Sequence, residues 1–409
     1  MSAAARLLTV ADLSASHALA GPASGRALHG GEDGPGCDVG VEHGGPDGGP
    51  PIRWDFSTNT NPITAPSHVL AHLAQADRSR YPDPAYHDLR ATLGQAWACS
   101  PERVLPTAGS SEAIRRLSLA AQLQGVHTVW LPSPGYGDYL AAAQALGLRV
   151  CRYADGDSLL AGLQASSSID EPGQVLVWLN EPCNPSGASL PPAFWHALHS
   201  LIADGSCTVA LDRAYEPLRL TGADPIAAHT ATLCWQLWSP NKAMGLTGVR
   251  AGAMQAPDLS GVPERVRHAP LAMRRHAQAL APSWVLSAEG VALLQAWQAP
   301  ETQCWLSHAR TTLTGWMDAQ RTMLSELGFE HLPSVTPFGL SRPLGLTTDQ
   351  MALALAHLRH CGIKLRDTTS MGRPGWWRLG TLPPLAQTAL RHAWLSRPAA
   401  ASSHMGSAI

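Results

Sequence analysis

Lys242 lies in the run SPNKAMGLTGVRAG, Ser239 to Gly252, and is one of only two lysines in 409 residues, the other being Lys364. A lysine at the end of a buried strand can form an imine with an aldehyde, provided its amine is partly neutral. Desolvation and nearby cations both push it that way. Arg250, eight residues on, and Ser239, three residues before, can bind a phosphate on the same aldehyde, because a guanidinium matches phosphate oxygens in a two-point geometry. Taken alone, the segment also reads as an exposed loop lysine among glycines that turn the chain.

A lysine beside a phosphate clamp suggests pyridoxal phosphate, and other loops supply the parts that such a cofactor needs. Asp212 ends the run TVALD, where a carboxylate can pair with a protonated ring nitrogen and keep the ring electron-poor. By itself it could equally cap the strand. Asn184 in CNPSG and Tyr215 in DRAY can each donate to a ring oxygen, although individually both are ordinary loop residues. Gly109, Ser110 and Ser111 open an amphipathic stretch, and free N–H groups at a helix start attract anions. A plain serine cap would look the same. Tyr136 in PSPGYGDY can lie over a planar ring or simply pack.

The elements that must position these residues follow from periodicity. The apolar runs 126–131, 174–179, 207–212 and 233–238 predict buried strands, and EAIRRLSLAAQLQ (112–124) predicts a helix with Ile114, Leu117 and Ala121 on one face. Strand–helix alternation of this kind implies an α/β protein whose mostly parallel sheet is covered on both faces. The polar loops after each strand then meet at the carboxyl edge of the sheet, where such sheets bind ligands. Helical patterns recur at 283–298, 301–327 and 348–361, followed by GIKLRD and WWRLGT. The expected division is a Gly/Pro-rich N-terminal arm over 1–52, a large domain over 53–260, a small α+β C-terminal domain over 261–397 to which the segment after the arm contributes, and a tail over 398–409.

Composition narrows the partners. A net charge of −2 and 45% apolar residues imply a globular chain without an electrostatic bias toward nucleic acid or anionic membrane. The eight cysteines show no CxxC pair and no metal-ligand spacing, so reduced thiols, no metal and a cytoplasmic location are expected. No apolar run reaches the roughly 18–20 residues that a membrane helix requires.

With LPSPGY, NEPCNPSG, LDRAY and SPNKAMGLTGVRAG in order, the sequence resembles the fold-type I, aspartate-aminotransferase-like superfamily of PLP-dependent enzymes over roughly residues 52–395. The resemblance implies that Lys242 carries the cofactor and Asp212 faces its pyridine nitrogen. It likewise assigns Asn184 and Tyr215 to the ring oxygen, Tyr136 to the ring face, and Gly109, Ser110, Ser111, Ser239 and Arg250 to the phosphate. EHGGPDGG, DFSTNTNP and RYPDPAYHDLRATLG are similar to the threonine-phosphate decarboxylases and their near relatives, the histidinol-phosphate aminotransferases. That likeness implies His43 and Asn59 at the substrate, with His29 as a rival for His43, and Tyr81 reaching a phosphate across a homodimer interface. GIKLRDTTSMGRPGWWRLGT implies that Arg378 holds the substrate carboxylate and Arg366 a second anionic group. Asn241, where Ser or Thr is usual, E-P-C-N-P-S-G and Arg213 depart from the family pattern and weaken assignment to any one subfamily.

Which bond of the substrate breaks depends on how its charges are held, and no sequence pattern fixes that. The leading expectation is a lyase that decarboxylates L-threonine O-3-phosphate to aminopropanol phosphate in cobalamin biosynthesis. An aminotransferase of the histidinol-phosphate type is the alternative. A PLP-binding regulator is a remote third reading, since the residues upstream of the fold are Gly/Pro-rich and lack a basic helical pair for DNA.

Overall fold

The structure, a computed structural model, describes residues 41–166 and 175–398. His29, Cys37 and most of the expected arm and tail lie outside them. Thirteen strands are described: β1 Trp54–Asp55, β2 Val104–Thr107, β3 Thr128–Pro132, β4 Arg149–Tyr153, β5 Val175–Asn180, β6 Thr208–Asp212, β7 Trp235–Trp238, β8 Gly252–Gln255, β9 Phe329–His331, β10 Phe338–Pro343, β11 Ile363–Lys364, β12 Arg366–Asp367 and β13 Trp377–Gly380. The apolar runs read from the sequence thus become β3, β5, β6 and β7. They lie in a seven-stranded sheet of order β2-β8-β7-β6-β5-β3-β4, parallel except for β8. Every residue of β5 is buried, as expected of a strand covered on both faces.

One face of the sheet packs Trp178 and Trp235 against Ile114, Leu117 and Ala121 of the helix Ser110–Leu123. The other packs Val177 and Leu179 against Phe194 and Trp195 of the helix Pro192–Ala203. Each fully buried leucine there contributes about 1.5–3 kcal/mol relative to an exposed one.

The C-terminal part builds a four-stranded antiparallel sheet of order β12-β13-β10-β9, while β1 pairs with β11 in parallel. Phe56, Phe329, Trp377 and Trp394 share its core. Two details differ from the expected division. Met273 and Ala277, on the helix Glu264–Ala279, join the core of the seven-stranded sheet, although the sequence placed everything after 260 in the C-terminal domain. Residues 41–52, expected to belong to a flexible arm, are tied to the body: Asp47 pairs with Lys364 (2.7 Å) and Arg359 (3.0 Å), and Gly45 donates to Ser57 Oγ (2.9 Å). Among the described residues no helix is long and apolar enough to cross a membrane.

Candidate active site

Strand register assembles the site. Thr107 of β2 lies opposite Gly252 of β8, and Ala253 opposite Trp238 of β7. Because β8 runs against its neighbours, the loop after β2, the loop after β7 and the approach to β8 meet at one edge. Gly109 and Arg250, 141 positions apart in sequence, therefore touch: a Cβ built on Gly109 would come 2.5 Å from an Arg250 terminal nitrogen. The same glycine adopts φ 87°, in the region that favours residues without a side chain, and caps the helix that Ser110 and Ser111 begin. Free amides of the first turn, a close guanidinium and no intervening side chain make an anion cradle.

Asp212 closes β6 at the same edge, opposite Asn180 of β5 and Leu237 of β7. It is buried, and its carboxylate accepts bonds from Tyr139 Oη (2.8 Å) and the Ala214 amide (3.0 Å). Burial pushes its pKa up more strongly than these bonds and Lys242 pull it down, so the carboxyl resists ionising unless a cation faces it.

Lys242 is the point of convergence. Burial, then Arg378, then Arg250 lower its amine from 10.5 to about 8, while Asp55 and Asp212 oppose the shift. The residue is not fully enclosed and keeps some exposed surface. Near neutral pH an appreciable fraction of this amine is uncharged and nucleophilic.

The opposite wall comes from the C-terminal sheet. Arg378 of β13 is buried and donates to Asn184 Oδ1 (2.6 Å) and the Ser57 carbonyl (2.5 Å), while its Nε has no partner. Burial lowers its pKa to about 10. Asn59 is 2% exposed, and neither atom of its amide makes a hydrogen bond. It lies close enough to Tyr215 to favour that phenol's ionised form, but outside bonding geometry. A buried amide left unpaired in this way is costly, and a ligand that completed it would gain affinity. Tyr215 packs edge-on against Phe338 with ring centroids 4.7 Å apart, and burial raises its pKa. Tyr136 donates to Asp138 (2.9 Å) and lies 3.3 Å from Ser111 Oγ, with the His43 ring 6.0 Å from its own.

Three expected residues are placed differently from the rest. Ser239 turns its hydroxyl inward to Asn241 Oδ1 (2.6 Å) and the Ala251 carbonyl (2.9 Å), where it fixes the loop instead of facing the cradle. Tyr81 is 75% exposed and stacks on Trp284 at 4.1 Å. Arg366 pairs with the carboxylate of Glu42 and donates to Ser370 Oγ (2.8 Å). The sequence reading missed Tyr139, Asp55 and Glu42. Tyr139 was findable: it sits one helical turn after Tyr136, inside the quoted PSPGYGDY. The other two depend on contacts between distant segments.

The sequence profile described as aminotransferase class I and II matches residues 54–393. A histidinol-phosphate aminotransferase of Halorubrum lacusprofundi is 29% identical over 333 residues, covering 80% of this chain and 84% of that one. The histidinol-phosphate aminotransferase of Sinorhizobium meliloti, solved in complex with pyridoxal-5'-phosphate, superposes with a TM-score of 0.67 at 21% identity, covering 84% of this chain and 90% of that one. The L-threonine-O-3-phosphate decarboxylase of Porphyromonas gingivalis gives 0.65 at 19%, covering 83% and 97%. A profile match spanning both sheets, together with a carboxylate, an amine and an anion cradle brought to one sheet edge, leaves one conclusion: the chain belongs to the aminotransferase class I and II family and has its aspartate-aminotransferase-like α/β fold.

Proposed function

We propose that this protein is a PLP-dependent aminotransferase of the histidinol-phosphate type, acting on a phosphorylated amino compound. The observation that carries the reading is the convergence on Lys242, whose amine feels Arg378, Arg250, Asp55 and Asp212 together. The residues fit pyridoxal 5'-phosphate: Gly109, Ser110, Ser111 and Arg250 would hold its phosphate, Asp212 its ring nitrogen, and Asn184 and Tyr215 its ring oxygen, with Tyr136 against the ring. When bound, that group supplies an electron-poor ring able to accept the electron pair of a broken Cα bond.

The protein's own part is proton handling and orientation. Lys242, with its pKa near 8, removes and returns the proton at the substrate Cα. Asp212, held in place by Tyr139 and the Ala214 amide, keeps the ring nitrogen protonated. Arg378 and Arg366 lie directly opposite each other on β13 and β12, a pair of guanidiniums suited to an anionic substrate group. Support for the histidinol-phosphate class comes from the curated relatives named for it.

Decarboxylation of O-phospho-L-threonine is the second reading. The observation behind it is the placement of His43 beside Tyr136 and Asp138. The deciding assay gives the PLP-loaded protein L-histidinol phosphate with 2-oxoglutarate, and separately O-phospho-L-threonine without any keto acid. Glutamate formation in the first is expected. Carbon dioxide release in the second, with no transfer in the first, overturns the proposal in favour of the decarboxylase. We further propose a homodimer with Tyr81 at the contact, for which light scattering should give twice the chain mass.

A further inference from the structure

Arg366 and Arg378 sit opposite each other across β12 and β13, and like charges so placed destabilise a sheet unless a counter-charge is supplied. Arg378 draws only neutral acceptors, Asn184 Oδ1 and the Ser57 carbonyl. Arg366 has a 3% exposed side chain and pairs with the carboxylate of Glu42, whose own side chain is 58% exposed. A second Arg366 bond runs to the Glu42 carbonyl (2.8 Å). Burial raises the Glu42 pKa, but Arg366 outweighs it and holds the carboxyl below the usual range.

Glu42 belongs to a short strap, residues 41–47, that is tied to the body on both sides of it. At one end Val41 presses on Gly137, where a Cβ would come 2.7 Å from Val41 Cγ1. At the other, Asp47 is clamped by Lys364 and Arg359. Between them Gly44 lies so close to the Ser57 carbonyl that a Cβ would stand 2.2 Å from it. The anchor around Asp47 is independent of Arg366. Among the described residues, only 41–43 need shift for the buried guanidinium to change partner.

We propose that Glu42 is a specificity-determining residue that competes with the anionic group of the substrate for Arg366. The inference rests on the proposed phosphorylated substrate and goes beyond it by naming the residue that tunes its affinity. A phosphate carries more charge than a carboxylate and engages a guanidinium at two points, so it can displace Glu42. A neutral side chain offers Arg366 nothing in exchange. Glu42 therefore lowers the apparent affinity for ligands whose anion must reach Arg366, by the fraction of molecules in which Arg366 is free, and leaves amino acids with a neutral side chain untouched.

The test is calorimetric titration of the PLP-loaded full-length protein with inorganic phosphate, O-phospho-L-threonine and L-threonine. Glu42→Gln should bind both phosphate ligands about tenfold more tightly than the natural protein, with L-threonine unchanged. Glu42→Asp, which keeps the charge, should stay near the natural values. Phosphate affinity that is unchanged or weaker in Glu42→Gln overturns the proposal, as does an equal gain for L-threonine, which would indicate general loosening of the strap. Inorganic phosphate needs no amine chemistry. A protein that fails to transaminate histidinol phosphate, yet shows the phosphate gain, refutes the proposed function and leaves this inference standing.

Discussion

Two walls enclose the site, and they are built on opposite physical plans. The wall contributed by the seven-stranded sheet carries Asp212 and Lys242 on or just beyond strands whose register is fixed by a fully buried core. The wall contributed by the C-terminal sheet carries Arg366 and Arg378, opposed like charges that lean on acceptors from residues 42, 57, 184 and 370. On the proposed function, the first would be preorganised for chemistry, where small displacements are costly. The second would trade partners, which is what recognition of a charged substrate requires. If so, substitutions in the first wall should act on kcat and substitutions in the second on KM.

The largest expected effect is from Lys242→Ala: loss of the near-visible absorbance of the loaded protein and a fall in kcat of at least about 10³-fold, since nucleophile and proton carrier vanish together. Retained absorbance at natural intensity would break the comparison at its centre. Asp212→Asn preserves shape but removes the charge facing the ring nitrogen, and kcat should drop about 10²–10³-fold with KM little changed. Steady-state kinetics with saturating PLP separates this from weak cofactor binding. Arg378→Lys sharpens the contrast from the other side. A point charge cannot reach both Asn184 Oδ1 and the Ser57 carbonyl while holding a substrate anion, so KM should rise about 10–100-fold with kcat within a few-fold. An equal loss in kcat would mean the walls do not divide their labour.

The smallest effect concerns stability. The Lys242 amine falls from 10.5 in the unfolded chain to about 8 in the fold, so between those pH values the unfolded state binds more protons and stability rises with pH. Below about pH 8 the penalty for holding the charge is fully present. Cofactor-free Lys242→Met should therefore melt about 2 °C above the natural protein at pH 7, with the gap closing toward pH 10. A gap that widens with pH would show that the amine is not destabilised in the fold.

The residues of the first wall follow from the pattern of apolar runs, whereas Arg366 and Arg378 of the second were reached only through the family resemblance. Asp212 ends one apolar run, Asn184 and Lys242 lie in the loops that follow two others, and a parallel sheet necessarily collects such loops at one edge. Glu42 gave no such signal, because its role depends on β12 meeting β13 and on a partner 324 positions away. The Gly/Pro-rich composition of residues 41–52 suggested flexibility. Yet Gly44 is there because the backbone lies against Ser57 with no room for a side chain, and close approach uses the same residue that mobility does. The helix Glu264–Ala279 escaped notice because Pro270 lies inside it and reads as a breaker. The next helix was expected from 283 but begins at Ala288, where the Ser287 hydroxyl accepts from the Gly290 amide and Trp284 takes a left-handed conformation.

The scarcity of lysine has a practical corollary. Of the two side-chain amines in the sequence, Lys364 is engaged by Asp47, whereas Lys242 is half neutral at mildly alkaline pH once the cofactor is stripped. A sparing dose of an acylating reagent should then tag a single interior nitrogen ahead of the other.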